Sequence, residues 1–286
     1  MKGNFLTYVR TLAEKKRSSD GNYGNWKSML KFLEEFAPSH LTFAQVDSHF
    51  VEDFKSYLDK DAKKKNNKGL SQNSKYSYFS KFKAALKQAE KDEIINRNPA
   101  KNVKGFEQEE SEREFLTLEE LEAIVETECE IPILKSAFLF SCLTGIRWAD
   151  IEKLKWSEVQ YSQELGYFIR FRQKKTKGAE TLPISKDACL LLGERKDRDE
   201  LVFKGLEYSS ENNDKLQRWI DRAKVTKDIT FHCARHTYAT LQLTLGTDIY
   251  TVSKMLCHRE LKTTQVYAKI IDDKKKEAAN KIKLAL

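Results

Sequence analysis

Along the first hundred residues, apolar side chains return every three or four positions and do not alternate. Phe5, Tyr8, Val9 and Leu12 form one such stripe, Trp26, Leu30 and Leu33 a second, and Phe50, Phe54, Tyr57 and Leu58 a third. That period places each set on one face of a helix. A polar, lysine-rich connection (DKDAKKKNNKG) then leads to a long fourth stripe of Tyr78, Phe82, Ala85, Leu86 and Ala89. Asn98-Pro99 is expected to end that run, because a residue before proline disfavours helix. The pattern predicts a helical domain over residues 1–105.

The stretch AKNVKGFEQEESERE is polar and charged, and a linker is expected at residues 106–116. Helix restarts at Thr117, which forms a capping-box pattern with Glu120 ahead of Leu121, Ile124 and Val125. The second domain, residues 117–286, reads as mixed. Ile133 to Leu143 is an apolar helix ending at Gly145. Tyr167 to Arg172 (YFIRFR) alternates like a strand, with Glu180 to Ile184 as its hairpin partner and QKKTKGA as the turn. After residue 211 the chain reads as helical to its end, with a break at Gly246. The fold class predicted is mainly α with a small antiparallel β-sheet, in two domains.

Composition narrows the class. With 40% hydrophobic and 11% aromatic residues the chain should fold. No apolar run approaches the roughly 20 residues that span a bilayer, and MKGNFLTYVR lacks a signal-peptide pattern. A cytoplasmic protein with no membrane partner is expected. The five cysteines (Cys129, Cys142, Cys189, Cys233, Cys257) form no Cys-x-x-Cys pair, which supports neither zinc nor a disulfide framework. The net charge of +8 is uneven: residues 1–110 hold 21 Lys/Arg against 15 Asp/Glu, the remainder 30 against 28. A basic first part suits a phosphate backbone, and it equally suits a solvated lysine face.

No glycine-rich phosphate loop, His-Glu-x-x-His or carboxylate cluster is present, so neither a nucleotide nor a metal has an obvious seat. A set of cationic residues around one tyrosine stands out instead. TFHCARH places His232 and Arg235 three apart, on one helix face. LCHRELKTTQVYAKI sets His258 nine residues before Tyr267, and TGIRWADI puts Arg147 just after a helix end. Taken singly, each fragment reads as surface, cap or core.

Their order is another matter. Arg147, a hairpin lysine, His232-x-x-Arg235, His258 and Tyr267 together resemble the tyrosine recombinase (phage integrase) family, over roughly residues 117–271. The chain is most similar to integrases of conjugative transposons and prophages. The resemblance implies a two-domain clamp, with residues 1–105 as a SAM-like core-site DNA-binding domain and 117–286 as the catalytic domain. It implies a site-specific recombinase that cleaves and rejoins DNA through a 3′-phosphotyrosine on Tyr267, integrating or excising a mobile element. No cofactor, metal or ATP is implied.

The chemistry suits such residues. Attack on a phosphodiester adds negative charge, and two guanidiniums, Arg147 and Arg235 by family position, would grip the non-bridging oxygens bidentately. The resemblance assigns Lys175 as the acid that protonates the departing 5′-oxygen, with Lys174 and Lys177 as close alternatives. It makes His232 the acceptor of the phenol proton, His258 a hydrogen-bond donor to the phosphate, and Asp150 a supporting carboxylate; Asp150 could equally be a plain helix N-terminal charge. The partners implied are double-stranded DNA core sites and, on DNA, a homotetramer formed from free monomers, with residues 274–286 reaching a neighbour. Accessory DNA-bending or excision factors accompany some family members.

Two departures stand out. Cys257 occupies the place before His258 where the family usually has glycine, so either ordinary backbone angles or mild strain is expected there. The chain also opens almost directly on the core-binding helices, so the arm-binding domain of many such integrases is expected to be absent or missing from this sequence. The rival readings are a chromosome-dimer-resolving recombinase and a catalytically silent DNA-binding protein. A type IB topoisomerase fits less well, and a metal-dependent nuclease least.

Overall fold

The computed structural model describes residues 3–17, 20–64, 66–110, 113–173 and 178–268. The chain divides into two units, residues 1–111 and 112–286, and the division falls inside the stretch expected to be linker.

The first unit holds four α-helices among the described residues: α1 (Phe5–Glu14), α2 (Asp20–Phe36), α3 (Ser48–Lys60) and α4 (Gln72–Lys91). Side-chain caps start two of them, Asn4 accepting from the Thr7 amide and Asp47 from the Phe50 amide. The apolar stripes meet in one core that includes Phe5, Val9, Met29, Leu33, Phe54, Phe82 and Leu86. Helix α4 ends at Lys91, before the expected stop at Asn98-Pro99. Glu93 takes a left-handed backbone (φ 56), the Ile94 amide bonds back to Ala89 O at 2.9 Å, and Ile95 turns into the core. Burial of Ile95 ends the helix before proline can.

The second unit contains α5 (Leu118–Glu126), α6 (Pro132–Thr144), α7 (Trp148–Ile151), β1 (Val159–Ser162), β2 (Gly166–Arg172), β3 (Ala179–Pro183), α8 (Lys186–Leu190), α9 (Ser210–Arg222), α10 (Phe231–Thr244), α11 (Ile249–Met255) and α12 (Lys262–Ala268). The expected capping box is formed: the Thr117 hydroxyl accepts from the Glu120 amide and Glu120 accepts from the Thr117 amide. Helix α6 is buried on nearly every side, as its unbroken apolar sequence requires, and packs along α10 at the centre of the unit. The antiparallel sheet runs β1-β2-β3, with Ile169 opposite Val159 on one side and Leu182 on the other. Those three residues anchor the sheet in the core. The β2 and β3 segments match the predicted hairpin. β1 was not expected, because four residues (VQYS) carry too short a pattern to register. The Gln173 amide donates to Gly178 O at 2.9 Å across the base of the hairpin turn. Residues 174–177 between them, Lys175 included, lie outside the described residues. Among the described residues no helix is long and apolar enough to cross a membrane.

Candidate active site

Gly145 closes α6 in the left-handed region, φ 70. A Cβ there would come within 2.6 Å of Tyr238 Cδ1 and 2.8 Å of Leu256 Cδ2, so the turn needs glycine for both angle and space. Gly145→Ala is expected to cost roughly 3 kcal/mol, from a left-handed alanine plus overpacking. Urea unfolding that showed no loss would contradict this reading of the turn. Two residues later, Arg147 stands at the N-cap of α7 and is half-buried. Asp150, on the same short helix, is 3% exposed, and its carboxylate lies 3.4 Å from Lys153 Nζ. Arg147 and Asp150 line one cleft with Gln173, Arg235 and Cys257.

Arg235, on α10, is buried. Its NH1 donates to Gly145 O and its NH2 to Leu256 O. Each carbonyl lies two residues before another expected site residue, Arg147 in one case and His258 in the other. The guanidinium therefore staples together the two turns that present them. Burial, then repulsion from Arg147, brings its pKa down to about 10, which leaves it charged at neutral pH.

His258 follows Cys257, whose φ is 51. The left-handed turn that glycine would favour is thus kept with a side chain in place, so the alternative of ordinary angles is excluded and the strain is real. Burial, then Glu180, pushes the Cys257 thiol up to about 12, so it stays protonated. His258 Nδ1 lies 2.8 Å from the Thr264 hydroxyl. Burial, then Arg235, Arg147 and Arg113, lowers the imidazole to about 3.

Tyr267 lies on α12. Its ring packs against α10 and α11 in a cluster with Tyr238, Leu243, Val252 and Leu256, and it is 2% exposed. The hydroxyl lies 2.8 Å from His236 Nδ1 and 3.3 Å from Arg113 NH1. His232 is exposed, and its ring meets that of His236 edge-on with centroids 4.6 Å apart. The sequence reading had not singled out His236 or Arg113. His236 was within reach, since it is four residues from His232 and so shares its helix face. Arg113 sits in a charged run (ESERE) that carried no signal.

His236 is also held low, at about 3, by burial and then by His232, Arg113 and Arg235. These two neutral rings, His236 buried and His258 half-buried, set a pH dependence. Below about 6.5 the unfolded chain takes a proton on each, while the folded chain does not until about 3. The unfolded state then binds more protons, so stability should fall as pH drops through that window. The slope should approach about 1.4 kcal/mol per pH unit for each histidine. Urea titrations at pH 7 and 5 check this, and equal stability at both would refute it.

Residues 4–105 match the phage integrase SAM-like domain, and residues 114–274 match the phage integrase family. A tyrosine recombinase of Thermosipho africanus is 24% identical over 217 residues, covering 72% of this chain and 74% of the relative. The ICEBs1 integrase of Bacillus subtilis is 25% identical over 243 residues, 75% of this chain and 66% of the relative. Among solved structures, a lambda integrase dimer bound to a COC′ core site superposes with a TM-score of 0.71 at 17% identity, covering 91% of this chain and 94% of that one.

Proposed function

The chain belongs to the phage integrase family of tyrosine recombinases, enzymes of site-specific DNA recombination, and from that premise we propose that it integrates or excises a mobile element through a 3′-phosphotyrosine on Tyr267. The observation that carries this reading is the seating of Arg147 and His258 just past two turns that Arg235 staples together from α10, with Tyr267 packed on the same helix. Arg147 and Arg235 hold the scissile phosphate. Arg235 has five N–H donors and spends two on carbonyls, which leaves three for non-bridging oxygens. If the Thr264 hydroxyl donates to Nδ1, the neutral ring of His258 carries its hydrogen on Nε2, toward the phosphate. Asp150 balances the two guanidiniums.

The phenol oxygen attacks phosphorus, and its proton passes to an imidazole of α10. The 5′-oxygen leaves with a proton from Lys175. The phosphotyrosine keeps the bond energy for resealing. Residues 1–105 bind the core site. Four cleaved ends must be held together, so four chains assemble on paired sites from free monomers.

The test exposes the protein, in chelator, to a pool of nicked duplexes of random sequence. Adducts that survive denaturation are then isolated and both halves identified. The expected product is DNA of a shared sequence joined by its 3′-phosphate to the peptide bearing Tyr267. DNA that is selected by binding but never joined would instead support a silent binding protein.

A further inference from the structure

The Tyr267 hydroxyl has two close neighbours, neither among the residues given a role above. Its oxygen offers one proton and two lone pairs. Arg113 NH1, 3.3 Å away, can only donate, and so takes a lone pair. His236 Nδ1, 2.8 Å away, accepts the phenol's hydrogen bond in the tautomer that carries the ring hydrogen on Nε2. One lone pair is left, directed to neither neighbour. That is the arrangement a phenol needs to attack phosphorus while giving up its proton.

Both neighbours are firmly set. Arg113 also stacks over the Tyr267 ring, 5.5 Å from its centroid. The segment behind it is tied to the catalytic unit: the Leu116 amide donates to the Thr237 hydroxyl at 2.9 Å, and Lys227 Nζ donates to Phe115 O at 2.9 Å. Leu116 itself is fully buried. Thr237 is the residue after His236, so the two partners of the phenol are fixed to the same turn of α10.

Resting on the recombinase reading, we propose that His236 and Arg113 are working parts of the Tyr267 nucleophile, His236 taking the phenol proton and Arg113 supporting the oxygen as charge develops on it. In cleavage the Tyr267 oxygen bonds to phosphorus, the bond from phosphorus to the 5′-oxygen breaks, and the phenol proton moves to Nδ1. In resealing the 5′-hydroxyl attacks phosphorus and returns its proton to Lys175, the bond from phosphorus to the Tyr267 oxygen breaks, and the phenol leaves beside Arg113 and recovers its proton from His236. The groups facing His236 are His232 and Arg235 on its own helix, Arg113, and Tyr267 on α12. The cations keep the ring neutral and its Nδ1 lone pair available. An incoming phosphate brings negative charge beside those same cations and makes a protonated ring less costly. His232, the acceptor expected from family position, is left at the exposed edge to meet the phosphate.

The test uses the full chain and the nicked duplex recovered with wild type, in single-turnover cleavage. His236→Ala and Arg113→Ala should bind that duplex as wild type does yet form adduct on the order of 100-fold more slowly, the usual scale for losing an acid–base or oxyanion partner. His236→Asn, whose side-chain oxygen can stand near the place of Nδ1 and accept the hydrogen bond but cannot hold the proton, should stay as slow as His236→Ala. Added imidazole should speed His236→Ala and leave Arg113→Ala unchanged. Added methylguanidinium should speed Arg113→Ala and leave His236→Ala unchanged. A packing role alone would predict neither selectivity. Without DNA, the ¹⁵N resonance of His236 Nδ1 should be that of an unprotonated ring nitrogen and should move in Tyr267→Phe. A wild-type rate in His236→Ala, or a His236→Asn variant that cleaves as wild type does, would overturn the inference and leave the recombinase reading standing. No adduct with wild type would overturn both.

Discussion

Tyr267→Phe should leave no covalent protein–DNA adduct at all, while binding the selected duplex with nearly unchanged affinity. The expectation rests on what the substitution removes. The ring of Tyr267 is packed among Tyr238, Leu243, Val252 and Leu256, and phenylalanine would fill the same space. Only the hydroxyl is lost, and with it the hydrogen bonds to His236 and Arg113. His236 keeps both Arg113 and His232 as neighbours, so a modest cost of about 1 kcal/mol in stability is expected. The effect on chemistry should be complete, because the proposed ester forms on that oxygen. Denaturing gels of wild type and variant on the same nicked duplex decide the matter. Adduct persisting in the variant would mean that another residue is the nucleophile, and peptide mapping would name it.

The legible parts of this chain are those where one local rule acts alone. The stripes of the first unit predict its core because helical period and burial agree at Phe5, Val9, Phe54, Phe82 and Leu86. The Thr117–Glu120 box and the Gly145 stop were readable because each satisfies backbone groups within a few residues. The short strand β1 was not, since it exists only as the partner of β2. The end of α4 went unread for a related reason: Ile95 is drawn back by a core that its neighbours in sequence do not describe. At the site, the order of Arg147, His232, Arg235, His258 and Tyr267 was legible through family resemblance. Their contacts were not. That Arg235 serves two backbone carbonyls, and that Tyr267 meets His236 and Arg113, depends on pairings 21 to 154 residues apart. Glu180 beside Cys257 is a further such case.

Arg235→Ala should cost both stability and chemistry, and the way the two losses divide tests the staple. In the folded chain the Arg235 guanidinium holds Gly145 O and Leu256 O, and both bonds are buried. Alanine leaves both carbonyls without that donor, at roughly 1–3 kcal/mol each, so a loss of about 3–5 kcal/mol is expected in urea unfolding. The loss is moderated because a buried cation repelled by Arg147 is itself costly to keep. Cleavage should fall by at least about 1000-fold, since one phosphate-holding group disappears and the turns bearing Arg147 and His258 come loose together. Arg235→Lys separates the two roles. Lysine keeps a positive charge for the phosphate, but a single ammonium lacks the planar fork that spans two carbonyls. It should recover part of the stability and little of the rate, because Arg147 and His258 would still be presented imprecisely. If Arg235→Ala unfolded like wild type, the two carbonyls would have other donors and the staple would be wrong. If Arg235→Lys cleaved within about tenfold of wild type, a point charge would be all the phosphate requires, and the bidentate grip assigned to Arg235 would fall.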